Sequence, residues 1–268
     1  MEWRSAPAIS MGVWERPFYV DRGDEKIPGI VWMPEEPARP VPLVLIGHGG
    51  KSHKRNPAGL ALARRFVRRH GIGACAIDAI DHGDRGPIID TGDGPPQPEY
   101  VALWKRSDTF DRMNADWTAT LDELLASGRF HPARIGYWGL SMGTVLGLPF
   151  VVSEPRIRAA VLGACGLSGT SVTRGGFVER HRVDAPNVTC PVLFMVQWDD
   201  EIFDRDGALE LFDIIGSLDK RMHVHPGRHG GFPQEAADAT REFLAMQLQA
   251  ADDESVIFDS VREAAGHG

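Results

Sequence analysis

The chain is short of several things, and each shortage removes a class of reading. Among 268 residues there are three cysteines, Cys75, Cys165 and Cys190, odd in number and widely spaced. That pattern suggests neither a disulfide framework nor a zinc knuckle. Three small buried thiols are the expectation, in keeping with a reducing compartment. No apolar run approaches bilayer length, and the N-terminus carries Glu2 and Arg4 instead of an apolar leader. A cytoplasmic protein that neither enters a membrane nor binds one is expected. Positive charge is also scarce: the formal net charge is -8, which argues against a nucleic-acid-binding surface. One basic cluster exists, Lys51, Lys54 and Arg55 followed by Arg64, Arg65, Arg68 and Arg69. It reads as the solvated face of a helix rather than an anion site. No internal repeat is visible.

What is present is ordinary for a globular domain: 43% hydrophobic and 25% charged residues. The length suits one large α/β domain covering residues 1–268. Segments 16–20 and 27–32 read as a strand hairpin around Asp21-Arg22-Gly23-Asp24, after a poorly patterned arm at 1–14. Segment 41–46 is a near-continuous aliphatic run, the mark of a strand buried on both faces. A helix follows from about Pro57 to His70, with proline at its first position and Gly71 as its stop. Strands at 73–78, 158–163, 191–196 and 221–225 then alternate with helices at 114–126, 144–152, 207–215 and 233–248. Two irregular stretches, 87–112 and 166–187, interrupt this order as lid or substrate-pocket insertions. The first carries a short helical turn at 100–104. Such alternation requires a doubly wound, mostly parallel sheet with helices on both faces and an N-terminal antiparallel hairpin. Function then gathers at the C-terminal ends of the strands.

The most informative stretch is Gly139-Leu140-Ser141-Met142-Gly143, between an apolar run and a helix-compatible segment. A serine at the apex of a strand–turn–helix sits in a strained conformation and projects its hydroxyl from the sheet edge, with the following N–H, that of Met142, beside it. Serine is a weak nucleophile near neutral pH and needs a base held by a carboxylate. In chain order the strand ends supply Asp199 or Asp200 and then His229, the latter among glycines beyond the last strand. His223 and His225 share one face of that strand. A metal site made from them with His229 lacks an acidic or thiol ligand at a recognised spacing, so no metal and no cofactor is expected.

On these residues the chain resembles the α/β-hydrolase fold, and within it the dienelactone hydrolase and prolyl oligopeptidase-related esterases. The likeness covers roughly residues 15–250 and rests on His48-Gly49-Gly50, on the Ser141 turn, on Trp198-Asp199-Asp200-Glu201-Ile202 and on Gly227-Arg228-His229. It implies a serine hydrolase that cleaves carboxylic esters, with thioesters as a variant, through Ser141, Asp200 and His229 and an acyl-enzyme. Laying the family's Gly-x-x-Asp-x-x-apolar pattern here puts Asp200 in the acid slot, although Gln197 replaces the glycine. The resemblance also implies oxyanion donors at Gly50 (with Lys51 as the alternative) and Met142. His82, in a turn like the family's Asp-x-x-x-His-Gly, either lines the pocket or pins its loop. Trp198 is placed to wall the pocket, whereas Trp138 reads as core. His48 reads as structural. Arg174, Arg180, His181 and Arg182 read as scattered surface charge rather than an anion contact. The expected partner is a small-molecule ester, and a homodimer is compatible with the sequence. The competing reading is a catalytically silent protein of the same fold that binds a small apolar ligand.

Overall fold

The structure is a computed structural model that describes residues 1–23, 25–90, 97–170 and 176–249. Ten strands among these residues form one sheet. Two short strands, β1 (Glu2–Trp3) and β2 (Ala8–Ser10), both pair antiparallel with β3 (Val13–Arg22). The N-terminal arm is therefore built into the sheet edge. Its polar, broken pattern hides strands too short to show a period. β3 continues into β4 (Glu25–Pro34) as the expected hairpin, longer at both ends; Asp24, at its turn, lies outside the described residues.

β4 pairs antiparallel with β6 (Gly73–Ile77). From β6 onward the order β6–β5–β7–β8–β9–β10 is parallel throughout, with β5 at Val41–Gly47, β7 at Phe130–Gly139, β8 at Ile157–Gly163, β9 at Val192–Gln197 and β10 at Lys220–His225. β5 is buried along its whole length because both of its faces are covered. Leu43 and Leu45 enter one apolar layer and Val44 and Ile46 the other, the period of two that a strand imposes.

Two helices cover one face. α1 (Pro57–His70) starts where the Asn56 side chain accepts the Gly59 N–H at 2.9 Å, and stops at Gly71 with φ +65°. α7 (Gln234–Gln249) packs beside it, and Phe66, Phe243 and Leu244 fill the layer between them and the sheet. The opposite face carries α3 (Thr109–Ala126), α4 (Met142–Ser153), α5 (Phe177–Asp184) and α6 (Arg205–Ile214), around Trp117, Tyr137 and Phe150.

The segment at 87–112 is more regular than its sequence suggests. A full helix, α2 (Pro98–Leu103), stands where only a turn at 100–104 is expected, and α3 begins at Thr109 instead of 114. Thr109 is buried and its hydroxyl donates to the Leu103 carbonyl at 2.8 Å. That tertiary bond makes a helix start out of a stretch whose charges mask its period. Residues 91–96 and 171–175, which include Arg174, lie outside the described residues, as does the acidic 252–254 segment.

Candidate active site

The turn from β7 into α4 holds Ser141 at φ +57° and ψ -124°, a region that non-glycine residues avoid. Packing leaves no alternative. A Cβ on Gly139 would lie 2.5 Å from the Gly143 carbonyl oxygen, and one on Gly143 would lie 2.6 Å from that of Gly47. Both glycines are therefore required for β5, β7 and α4 to approach one another. The turn is tied down by Ser141 N–H to the Gly163 carbonyl (3.0 Å), by the Tyr137 hydroxyl donating to the Gly143 carbonyl (2.7 Å) and by the Thr144 hydroxyl, which donates to the Gly139 carbonyl (2.7 Å) and accepts from Gly163 N–H (2.8 Å).

His229 Nε2 lies 2.8 Å from Ser141 Oγ, and its Nδ1 lies 2.7 Å from Asp200 Oδ2. The carboxylate side chain is only 3% exposed and the imidazole 14%. The other oxygen, Asp200 Oδ1, accepts the N–H groups of Ile202 (2.8 Å) and Phe203 (3.0 Å), which fixes the carboxylate plane. The His229 N–H donates to Glu201 Oε2 at 2.9 Å. Asp199, one residue earlier, is exposed, and its carboxylate accepts the Gly227 N–H at 3.4 Å. The acidic pair thus divides its work: Asp200 meets the imidazole, and Asp199 braces the loop that carries it. Asp204 is the helix cap of this region, accepting the Gly207 N–H at 2.8 Å.

The loops after β5 and β6 are locked together at three points. His48 Nε2 accepts the Ala79 N–H (3.0 Å), and His82 Nε2 accepts the Lys51 N–H (3.3 Å). Each ring places Nδ1 on a carbonyl of its own loop, His48 on Gly49 (2.8 Å) and His82 on Ile80 (2.7 Å). Both imidazoles must be neutral to act this way. Burial pushes His48 down to about 4, against the Gly49 carbonyl that favours the charged form, and burial likewise lowers His82. The third lock is Lys54, whose N–H and ammonium bind the two oxygens of fully buried Asp78 at 2.8 and 2.6 Å. Lys54 is therefore a buried tie between loops, not part of a solvated basic face. Arg64 and Arg55 also have defined partners, both holding the buried Glu15.

These locks leave Gly50 N–H with no acceptor among the described residues. Met142 N–H opens α4, where the first turn has no intrahelical acceptor. The Lys51 N–H, the alternative to Gly50, is occupied by His82.

Ser141, His229 and Gly50 line one cavity of about 620 Å³, mostly apolar. One open alternative closes here and one sequence expectation changes. His82 does not line the cavity: it is fully buried and pins the loop from behind. Trp198 does not wall it either: it is 39% exposed, faces a separate shallow depression, and stacks under the Arg205 guanidinium at 3.8 Å. Conversely Trp138 lines the cavity, its indole N–H donating to Thr240 Oγ1 at 3.2 Å. Tyr100 of α2 is a further wall residue that the pattern reading did not single out. Its hydroxyl occupies the space above Gly50, 2.4 Å from where a Cβ there would lie. Of the 166–187 segment, no described residue lines the cavity. His181 is buried against the Val145 carbonyl, and Arg180 and Arg182 pair with Asp184 and Glu210. Cys75 and Cys165 are buried and free, with burial raising both thiols. No cluster of three metal-ligating side chains occurs among the described residues, and no helix among them is long and apolar enough to cross a membrane.

No family model matches the chain, and no curated protein matches it. Among solved structures it is similar to the polyethylene-glycol-bound complex of a cold-adapted esterase from an Arctic intertidal metagenomic library, at 35% identity over 92% of this chain and 100% of that chain, with a TM-score of 0.81. It is also similar to an acetyl xylan esterase from Paenibacillus sp. R4 (16% identity, 92% and 89% covered, TM-score 0.72) and to acetyl xylan esterase 1 from Thermoanaerobacterium sp. JW/SL YS485 (17%, 92% and 87%, 0.71). The last two, at such low identity, share the fold alone.

Proposed function

Because the chain belongs to the esterases of the α/β-hydrolase family, we propose that it hydrolyses carboxylic esters, and thioesters by the same route, through Ser141, His229 and Asp200 and a covalent acyl-enzyme. The observation that carries this reading is the unbroken hydrogen-bonded line from Asp200 through His229 to Ser141, opening on a cavity. Ser141 Oγ attacks the carbonyl carbon while His229 Nε2 takes its proton. Asp200 holds the tautomer with the proton on Nδ1 and stabilises the imidazolium that forms. The oxyanion is received by the N–H groups of Gly50 and Met142, each such donor being worth roughly 3 kcal/mol in the transition state. His229 then returns the proton to the departing alkoxide or thiolate, and the ester bond breaks. In the second half a water gives its proton to His229 and its oxygen to the acyl carbon, which releases the acid and restores Ser141.

Acid quench of the protein during turnover of a p-nitrophenyl ester, followed by intact-mass measurement, tests the covalent step. The expected result is a species heavier by one acyl group in the wild type and none in Ser141→Ala. Steady turnover by Ser141→Ala at the wild-type rate would remove the serine from the mechanism.

A further inference from the structure

Part of the cavity extends from Ser141 toward the starts of α1 and α7, and its walls there identify what enters it. Its floor is the sheet face opposite α4, formed by Ile46, Trp138 and Met195 from β5, β7 and β9. Its roof is the seam between the first turns of α1 and α7. Deeper in the same layer that seam is closed by Phe66, Leu244 and Leu248. At the site end α7 presents Ala236 and Ala237 instead; Ile46, Met195 and Ala236 are sealed there, and the open apolar surface is that of Ala58, Trp138 and Ala237.

From this geometry we propose that the substrate's acyl group is an aliphatic chain of medium length, its tail housed between α1 and α7. The proposal rests on the serine-esterase reading of the site. Three features set the chemistry. First, size: at about 30 Å³ for a methylene-sized unit, the volume of one liquid water, an acetyl methyl leaves most of the 620 Å³ empty. A chain of roughly six to eight carbons takes up about 200 Å³ on the same scale, and the rest of the cavity accommodates the reacting ester and its approach. Second, polarity: the two polar side chains between the starts of α1 and α7 are committed to the protein. Asn56 Oδ1 accepts the Gly59 N–H and its amide donates to the His53 carbonyl; Thr240 Oγ1 accepts from Trp138 and donates to the Ala237 carbonyl. A sugar hydroxyl would find no dedicated partner there, whereas a methylene chain needs none. Third, direction: the leaving oxygen must lie beside His229, at the rim, where the loop through Arg228 is exposed to solvent. The alcohol therefore faces water and the acyl chain faces the interior. Acyl selectivity is thereby assigned to two helices of the main layer.

The test uses the full chain and two ester series: p-nitrophenyl esters from acetate to palmitate, and alkyl acetates of graded alkoxy length. The expected kcat/KM rises with acyl length by up to fourfold per methylene, peaks near hexanoate to octanoate and falls for palmitate, and is insensitive to alkoxy length. Ala237→Phe, at a half-exposed wall position, should cut the octanoate-to-acetate ratio of kcat/KM at least tenfold. Labelling of Ser141 by a small fluorophosphonate is measured alongside. A wild-type profile that is flat or highest at acetate, a preference that follows the alkoxy chain, or an unchanged ratio in Ala237→Phe, each with Ser141 still labelled, overturns the acyl-pocket assignment and leaves the esterase reading standing. Absence of both labelling and hydrolysis overturns that reading, and the assignment with it.

Discussion

Replacing His181 by Phe should cost stability at neutral pH and give back about 2 kcal/mol of it at pH 5. The imidazole is fully buried in α5, packed against the Phe177 ring at 5.2 Å, with Nε2 on the Val145 carbonyl at 3.0 Å and Nδ1 without any partner. Burial lowers its pKa to about 4 from an ordinary value of 6.5. Between those values the unfolded chain binds a proton that the folded chain refuses. The stability this group contributes is therefore full above about pH 6.5 and is lost as pH falls toward 4. At pH 5 the loss is about 2 kcal/mol. His181→Phe orphans the buried Val145 carbonyl, whose helical donor position is taken by Pro149, at a cost of about 1–3 kcal/mol, and keeps an aromatic ring in an aromatic site. The variant should be about 1–3 kcal/mol less stable than wild type at pH 7, and its stability relative to wild type should rise by about 2 kcal/mol at pH 5. Urea unfolding at the two pH values reads the difference directly. His48 titrates alike in both proteins and cancels. An equal loss at both pH values would refute the burial argument.

The remaining predictions concern the site. Asp200→Asn should lower kcat by about 10³- to 10⁴-fold, by releasing the wrong imidazole tautomer, while Asp199→Asn stays within a few-fold; the reverse ranking in ester turnover would move the acid by one residue. His82→Leu removes the tie from the Lys51 N–H to the β6 loop and loosens the loop carrying Gly50, so kcat should fall about tenfold, a part of one oxyanion donor's worth, with KM little changed. A matching rise in KM would instead make His82 a binding residue. Gly50→Ala drives a methyl into the Tyr100 hydroxyl and should lower kcat, and adding Tyr100→Phe should recover part of the loss. Additive losses in that cycle would show that the two residues do not meet.

Much of this architecture was legible because local chemistry and global fold agree. Asn56, Pro57 and Gly71 bound α1 at the residues that their backbone preferences dictate. The glycines flanking Ser141 mark a turn that no larger residue allows. Asp200, by contrast, is favoured by the family's spacing but not by the residues themselves: two adjacent aspartates stay open until Ile202 and Phe203 N–H groups orient one of them. The cavity was illegible for a different reason. Trp138 alternates correctly for a strand buried on both faces, and a period of two reports which face a side chain takes but not whether that face is filled. Whether Ala236 and Ala237 meet a neighbour or a void depends on how far α7 stands from α1, which neither helix encodes alone. Tyr100 was hidden in a segment whose neighbouring glycines and prolines suppress the helical signal, and Lys54 looked like its basic neighbours until Asp78 was brought beneath it.

The central claim is that Ser141 is an activated nucleophile fed by His229. Intact-mass labelling with a small fluorophosphonate, run on wild type, Ser141→Ala and His229→Ala, tests it most directly. The account predicts one adduct per wild-type chain, none on Ser141→Ala, and labelling of His229→Ala slowed by several orders of magnitude. A folded wild type that takes no label, or a Ser141→Ala variant that still takes one, would contradict it.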